Sequence, residues 1–138
     1  MIGDCRRAVL WVRVGSGIMR LAVTNAPAEH AHRIARTLVE DRVVACVNLL
    51  PCHSVYRWKD QVLDEPEVTM LMKVSDDGVE RLRTVLQGLH PYELPEFIVL
   101  PVDTAGSLGA YLDWVDDGCR PPGTAAVHPS AEIRPRPT

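Results

Sequence analysis

The spacing of apolar and polar positions changes several times along the chain, and each change marks an element. Met19 to Thr24 is a short, mostly apolar run of the kind a buried strand makes. Pro27 opens a helix. Ala31, Ile34, Ala35, Leu38 and Val39 recur at helical spacing on one face, and Glu29, His30, Arg33, Arg36 and Glu40 fill the other. From Val43 to Trp58 the period drops to two, with β-branched and aromatic residues. Lys59-Asp60-Gln61 is a polar tip. Val62 to Val74 then returns as a strand with Val68, Met70, Met72 and Val74 on one face. Together these strands predict a β-hairpin longer than a domain of this size needs. Pro51 and Pro66 interrupt it, and since proline cannot donate to a ladder, Pro51 predicts a bulge or an edge position and Pro66 a bulge.

Ser75 is a capping residue for a second helix, with Asp76 and Asp77 suited to its positive end. Val79, Leu82, Leu86 and Leu89 form the apolar stripe, and Pro91 ends it. A loop from His90 to Pro95 leads to a strand from Glu96 to Val102. Ser107 caps a last short helix with Leu108, Tyr111, Leu112 and Val115 inward and Gly118 as its C-cap. The order strand, helix, strand, strand, helix, strand, helix predicts an α+β, ferredoxin-like sandwich with two helices on one face of an antiparallel sheet.

Length adds a boundary. The 138 residues suffice for one domain, and the pattern places it at 19–118. Residues 1–18 fall outside the pattern and read as a disordered or non-native extension. Arg6 and Arg7 precede the apolar residues Ala8 to Val12, but Arg13 breaks that run too early for a secretion signal. Residues 119–138 are rich in proline and small polar residues and read as a disordered tail.

Charge excludes some partners. A net charge of −3 gives no basic surface for nucleic acid, and no apolar run is long enough to span a bilayer. Cys5, Cys46, Cys52 and Cys119 include no C-x-x-C pair, so they read as reduced thiols of a cytoplasmic protein. No nucleophile elbow, Walker loop, H-E-x-x-H or dinucleotide fingerprint is present, so the chain is not expected to be an enzyme.

Several segments resemble one family in combination. These are Ala45-Cys46-Val47-Asn48, Ser54-Val55-Tyr56-Arg57-Trp58, Lys73, His90-Pro91-Tyr92-Glu93-Leu94-Pro95-Glu96, and Tyr111-Leu112-Asp113-Trp114. In this order, from Met19 to Val115, they resemble the CutA family of divalent-cation tolerance proteins. The resemblance implies a homotrimer related in architecture to PII regulatory proteins, its hairpins reaching across to neighbouring subunits. It also implies a part in metal homeostasis, with copper or another divalent cation as ligand.

The family's proposed copper ligands are a Cys after the first strand and a His-His pair. Those positions are Thr24 and Leu89-His90 here, so only His90 is kept, and copper binding is expected to be weak. His90 and Glu96 are the candidate metal residues. Each has a second reading: His90 satisfying the last carbonyls of its helix, and Glu96 pairing with an arginine or Lys73. Arg57, Lys73, Tyr92 and Glu93 are candidates for a cleft between subunits that takes a small anion, as in a PII-like regulator. Tyr56, Trp58 and Trp114 are candidates for the trimer interface, because large aromatic residues concentrate there. A scaffold for another protein is the remaining alternative.

Overall fold

The first strand can occupy the middle of a sheet because neither of its faces carries a charge beyond Arg20. Ala22, Thr24 and Ala26 alternate with Leu21, Val23 and Asn25. In the computed structural model, which describes residues 19–121, this strand, β1 (Met19–Ala26), is flanked on both sides. The helix α1 (Ala28–Glu40) follows, with Pro27 at its N-cap. The hairpin is β2 (Cys46–Trp58) and β3 (Gln61–Ser75). A single 3-10 turn, Asp76–Gly78, precedes α2 (Val79–Leu89), and β4 (Ile98–Pro101) and α3 (Gly109–Gly118) complete the chain. The four strands are antiparallel in the order β2-β3-β1-β4, which is the ferredoxin-like arrangement expected.

The period-two pattern decides the layers. Ala22, Ala26, Val68, Met70, Met72 and Val74 turn to one face, where they meet Ile34 and Leu38 of α1 and Leu82 and Leu86 of α2 in a single buried cluster. Val43 and Val44, in the connection after α1, close the same core. The short α3 packs elsewhere. Its Leu112 and Val115 bury Met19, with Ala45, Val102 and Cys119 against them. Cys119 therefore belongs to the fold, one residue past the boundary drawn from the pattern.

Local expectations met with corrections. Neither proline makes a bulge: the β2–β3 register runs without offset from Cys46↔Lys73 to Trp58↔Gln61, through Pro51↔Val68 and His53↔Pro66. Both sites have an open flank. β2 is an edge strand, and β1 stops opposite Val68, so nothing pairs with the far side of Pro66. The tip is two residues, Lys59 and Asp60, with φ of 48° and 63°, the mirror-image turn that matches strand twist. The Ser75 and Ser107 side chains cap no helix. Ser107 donates instead to the carbonyl of Asp103 at 2.5 Å. Gly118 is the last residue of α3, not its C-cap, which is Cys119. A side chain there would meet Cβ of Ala45 at 2.7 Å, so glycine is what lets α3 approach the start of β2. The expectations for residues 1–18 and 122–138 lie outside the described residues.

Candidate functional site

Register places chemistry on the sheet face turned away from α1 and α2. Cross-strand partners share a face, so Ser54, Tyr56 and Trp58 of β2 stand with Glu65 and Glu67 of β3 and Asn25 of β1. β2 and β3 run on past the end of β1, so the upper half of the hairpin overhangs the rest of the sheet. The loop between α2 and β4 folds under this overhang. The result is a cleft of about 900 Å³, walled by Tyr56, Trp58 and Glu67 on the hairpin side and by residues Pro91 to Ile98 on the loop side.

The loop is held from both ends. His90 caps α2 in extended conformation, which turns its ring away from the helix. Nε2 of that ring lies 2.8 Å from the carbonyl of Asn25, and the Tyr92 amide donates to Nδ1 at 3.2 Å. Accepting at Nδ1 leaves the proton on Nε2, which donates to Asn25. The His90 ring thus ties the end of α2 to the end of β1 and does not line the cleft, while its amide N–H caps the Leu86 carbonyl at 2.8 Å. The rings of His90 and Tyr92 are in tilted contact at 4.9 Å. Tyr92 then reaches across the cleft and donates its hydroxyl proton to Oε2 of Glu67 at 2.7 Å.

Acid dominates the electrostatics. Glu67 is 6% exposed, a charged side chain almost wholly out of water. Burial first, and the bond to Glu67 second, push the Tyr92 phenol well above its usual range. Tyr56 donates to Oε2 of Glu65 at 2.8 Å, and that bond raises its phenol as well. Glu96 is raised by burial and then by the charge of Glu67. Glu96 pairs with no base among the described residues, so the expected partnership with Lys73 is not formed.

The structure therefore brings Tyr56, Trp58, Tyr92, Glu93 and Glu96 together and leaves the other candidates apart. Arg57 pairs with Val62 on the opposite face of the hairpin. Lys73 sits opposite Cys46, with Nζ 3.8 Å from Sγ, six residues along β3 from Glu67 or roughly 20 Å at strand rise. Trp114 stacks on Tyr111 at 5.6 Å on α3 and is 37% exposed. Glu67 is the cleft residue that pattern reasoning missed. The signal was its phase: Glu65 and Glu67 alternate out of step with Val68 and Met70, in step with Tyr56 across the hairpin.

A resident copper ion does not fit these residues. Both ring nitrogens of His90 serve backbone groups, Thr24 is buried on the helix-facing side of the sheet, and no group of three or more His, Cys, Asp or Glu side chains converges among the described residues.

A ferredoxin-like sheet with a projecting hairpin and a cleft beneath it defines a PII-like α+β protein. The family model of the CutA1 divalent ion tolerance protein matches residues 19–118, and the chain belongs to that family. Among solved structures, a PII-like protein CutA from a Nostoc species is 54% identical with a TM-score of 0.72, covering 73% of this chain and 97% of that one. A periplasmic divalent cation tolerance protein CutA from Archaeoglobus fulgidus superposes with a TM-score of 0.70 at 28% identity, covering 74% and 99%. Among curated relatives, the divalent-cation tolerance protein CutA of Thermus thermophilus is 38% identical over 94 residues, 67% of this chain and 89% of that one. The human protein CutA is 40% identical over 101 residues, 72% of this chain but 55% of its own length. No helix among the described residues is long and apolar enough to cross a membrane.

Proposed function

We propose that this chain works as a cytoplasmic homotrimer in divalent-cation tolerance, with the acidic cleft as its working site and no catalytic step of its own. The observation that carries the reading is the sheet face on which the cleft opens. Leu50, Ile98 and Leu100 stand there 45%, 47% and 44% exposed, beside an edge strand of 13 residues. A lone subunit has no reason to present such a surface, and a neighbouring copy laid on it would bury the apolar band, cover the edge and wall the cleft. A closed ring of three, the assembly the family resemblance implies, does this for every subunit alike. Cys46, Cys52 and Cys119 are free thiols, in keeping with a reducing compartment. Copper or another divalent cation is held weakly, because His90 must give up a backbone bond before it can ligate and Glu96 offers one carboxylate.

Sedimentation equilibrium tests the assembly and should give the trimer mass at micromolar concentration; a monomer there overturns it. Calorimetric titration of chelator-treated protein with copper should give weak binding. Tight, stoichiometric uptake would overturn the metal reading and leave the trimer standing.

A further inference from the structure

Every ionisable side chain lining the cleft is a carboxylic acid or a phenol: Glu67, Glu93, Glu96, Tyr56 and Tyr92. The charge is not balanced inside the chain. Among the described residues neither Glu67 nor Glu96 forms an ion pair, and the hydrogen bond to Glu67 comes from a neutral phenol. Glu96 stands exposed at the open side, but Glu67 is buried, and a buried carboxylate without a cation is costly, a cost that falls when a positive ligand arrives.

The remaining lining decides which cation. Trp58, Tyr56, Tyr92 and Phe97 contribute rings, and Pro91 and Leu94 contribute apolar surface. A metal ion needs several donors at bonding distance around one point, and the described residues offer no such group. A cavity of about 900 Å³ is the size of a small organic molecule, far larger than a bare ion. Rings and apolar surface attract a weakly hydrated cation that carries carbon on its nitrogen. The molecule shows the principle at the cleft's rim, where Lys59 holds its ammonium 5.7 Å from the centre of the Trp58 ring and 3.9 Å from the Glu93 carboxylate.

We infer that the cleft binds an organic ammonium ion, its charge answered by Glu67 and Glu96 and its carbon surface by the Trp58 and Tyr56 rings. This rests on the reading of the cleft as the working site. It also reverses the sign of ligand that Arg57 and Lys73 suggested, since neither residue reaches the cleft.

The test is calorimetry on the full chain with three probes of similar size and branching: propyltrimethylammonium, 3,3-dimethylbutanol and 3,3-dimethylbutyrate. The ammonium should bind at one per subunit and raise the melting temperature, and the alcohol and carboxylate should do neither. Glu67→Gln should weaken ammonium binding about tenfold, the equivalent of one charge-assisted bond. Trp58→Leu, which leaves the carboxylates in place, should weaken it as well. Equal or better binding of the alcohol or the carboxylate overturns the inference. So does a melting shift reproduced by sodium chloride at the same ionic strength, or no binding by any probe. Sedimentation of the same sample separates this from the assembly: a monomer that takes the ammonium sinks the trimer alone, and a trimer that ignores it sinks this inference alone.

Discussion

The hydroxyl of Tyr92 donates to Oε2 of Glu67 at 2.7 Å, joining the loop after α2 to the middle of β3 across 25 residues of chain. This bond gives a buried carboxylate its partner and fixes the width of the cleft. Tyr92→Phe removes the donor and leaves the acceptor buried, which should cost about 1–3 kcal/mol. Glu67→Gln keeps an acceptor and should cost less, and the double variant should lose less than the sum. Urea unfolding of all four proteins at one subunit concentration would show this, and strict additivity would rule out the coupling.

Glu96 makes stability depend on pH. Burial and the neighbouring Glu67 raise its carboxyl in the folded state above its unfolded value. Between those two values the folded protein binds more protons than the unfolded chain, so stability falls as pH rises through that window. Glu96→Gln should flatten the slope just above the ordinary carboxyl range and gain stability at neutral pH. Melting curves from pH 4 to 7 (about the span in which carboxyls titrate) should show the two proteins diverging upward; parallel curves would count against it.

Gly118→Ala should destabilise by about 1–3 kcal/mol, the usual range for overpacking, because its Cβ would sit 2.7 Å from that of Ala45 and push α3 off the sheet. Gly88→Ala, in the last turn of α2, is the control: nothing lies within 4 Å of its new Cβ, and alanine is the better helix former, so this change should be neutral or slightly stabilising. Thermal unfolding of both variants decides it, and similar shifts in the two would show that Ala45 is not the obstacle.

Ile98→Lys puts a charge into the apolar band of the open sheet face, where Ile98 is 47% exposed in the single chain. The expected result is a smaller species in sedimentation with near-native circular dichroism. An intact trimer of unchanged stability would remove this face from the interface.

Most of the fold was legible because the helices and the hairpin change period cleanly. Ala31 to Leu38 and Val68 to Val74 repeat at spacings that admit one secondary structure each, and their order admits few topologies. Pro51 was read correctly as an edge position, whereas Pro66 misled as a bulge, because the cost of a missing donor depends on what lies beside the strand, which is a property of sheet order. Ser75 and Ser107 misled because a capping residue type does not guarantee capping geometry. The candidate site was half legible. Tyr92, Glu93 and Glu96 came with their motif, but Arg57 and Lys73 were grouped with them by motif membership alone. Arg57 is excluded by parity along β2 and Lys73 by distance along β3. Glu67 could have been found by following that same parity from Tyr56 back through Ser54 to Cys52, the residue it faces across the hairpin. The fate of His90 could not, since its partner is a backbone carbonyl at the end of another strand.

The unbroken pairing of β2 with β3 also sets what kind of genetic change this chain can tolerate. One strand writes two messages in alternate letters: Glu65, Glu67 and Thr69 for the cleft side, and Val68, Met70 and Met72 for the core. A single inserted or deleted residue between Glu65 and Met70 would shift the frame, sending a carboxylate among the helices and a valine or methionine into the cleft. Substitutions there damage one side at a time, whereas a one-residue indel would exchange both at once. The Lys59-Asp60 tip, where no third strand keeps count, is where added length would be read as silence.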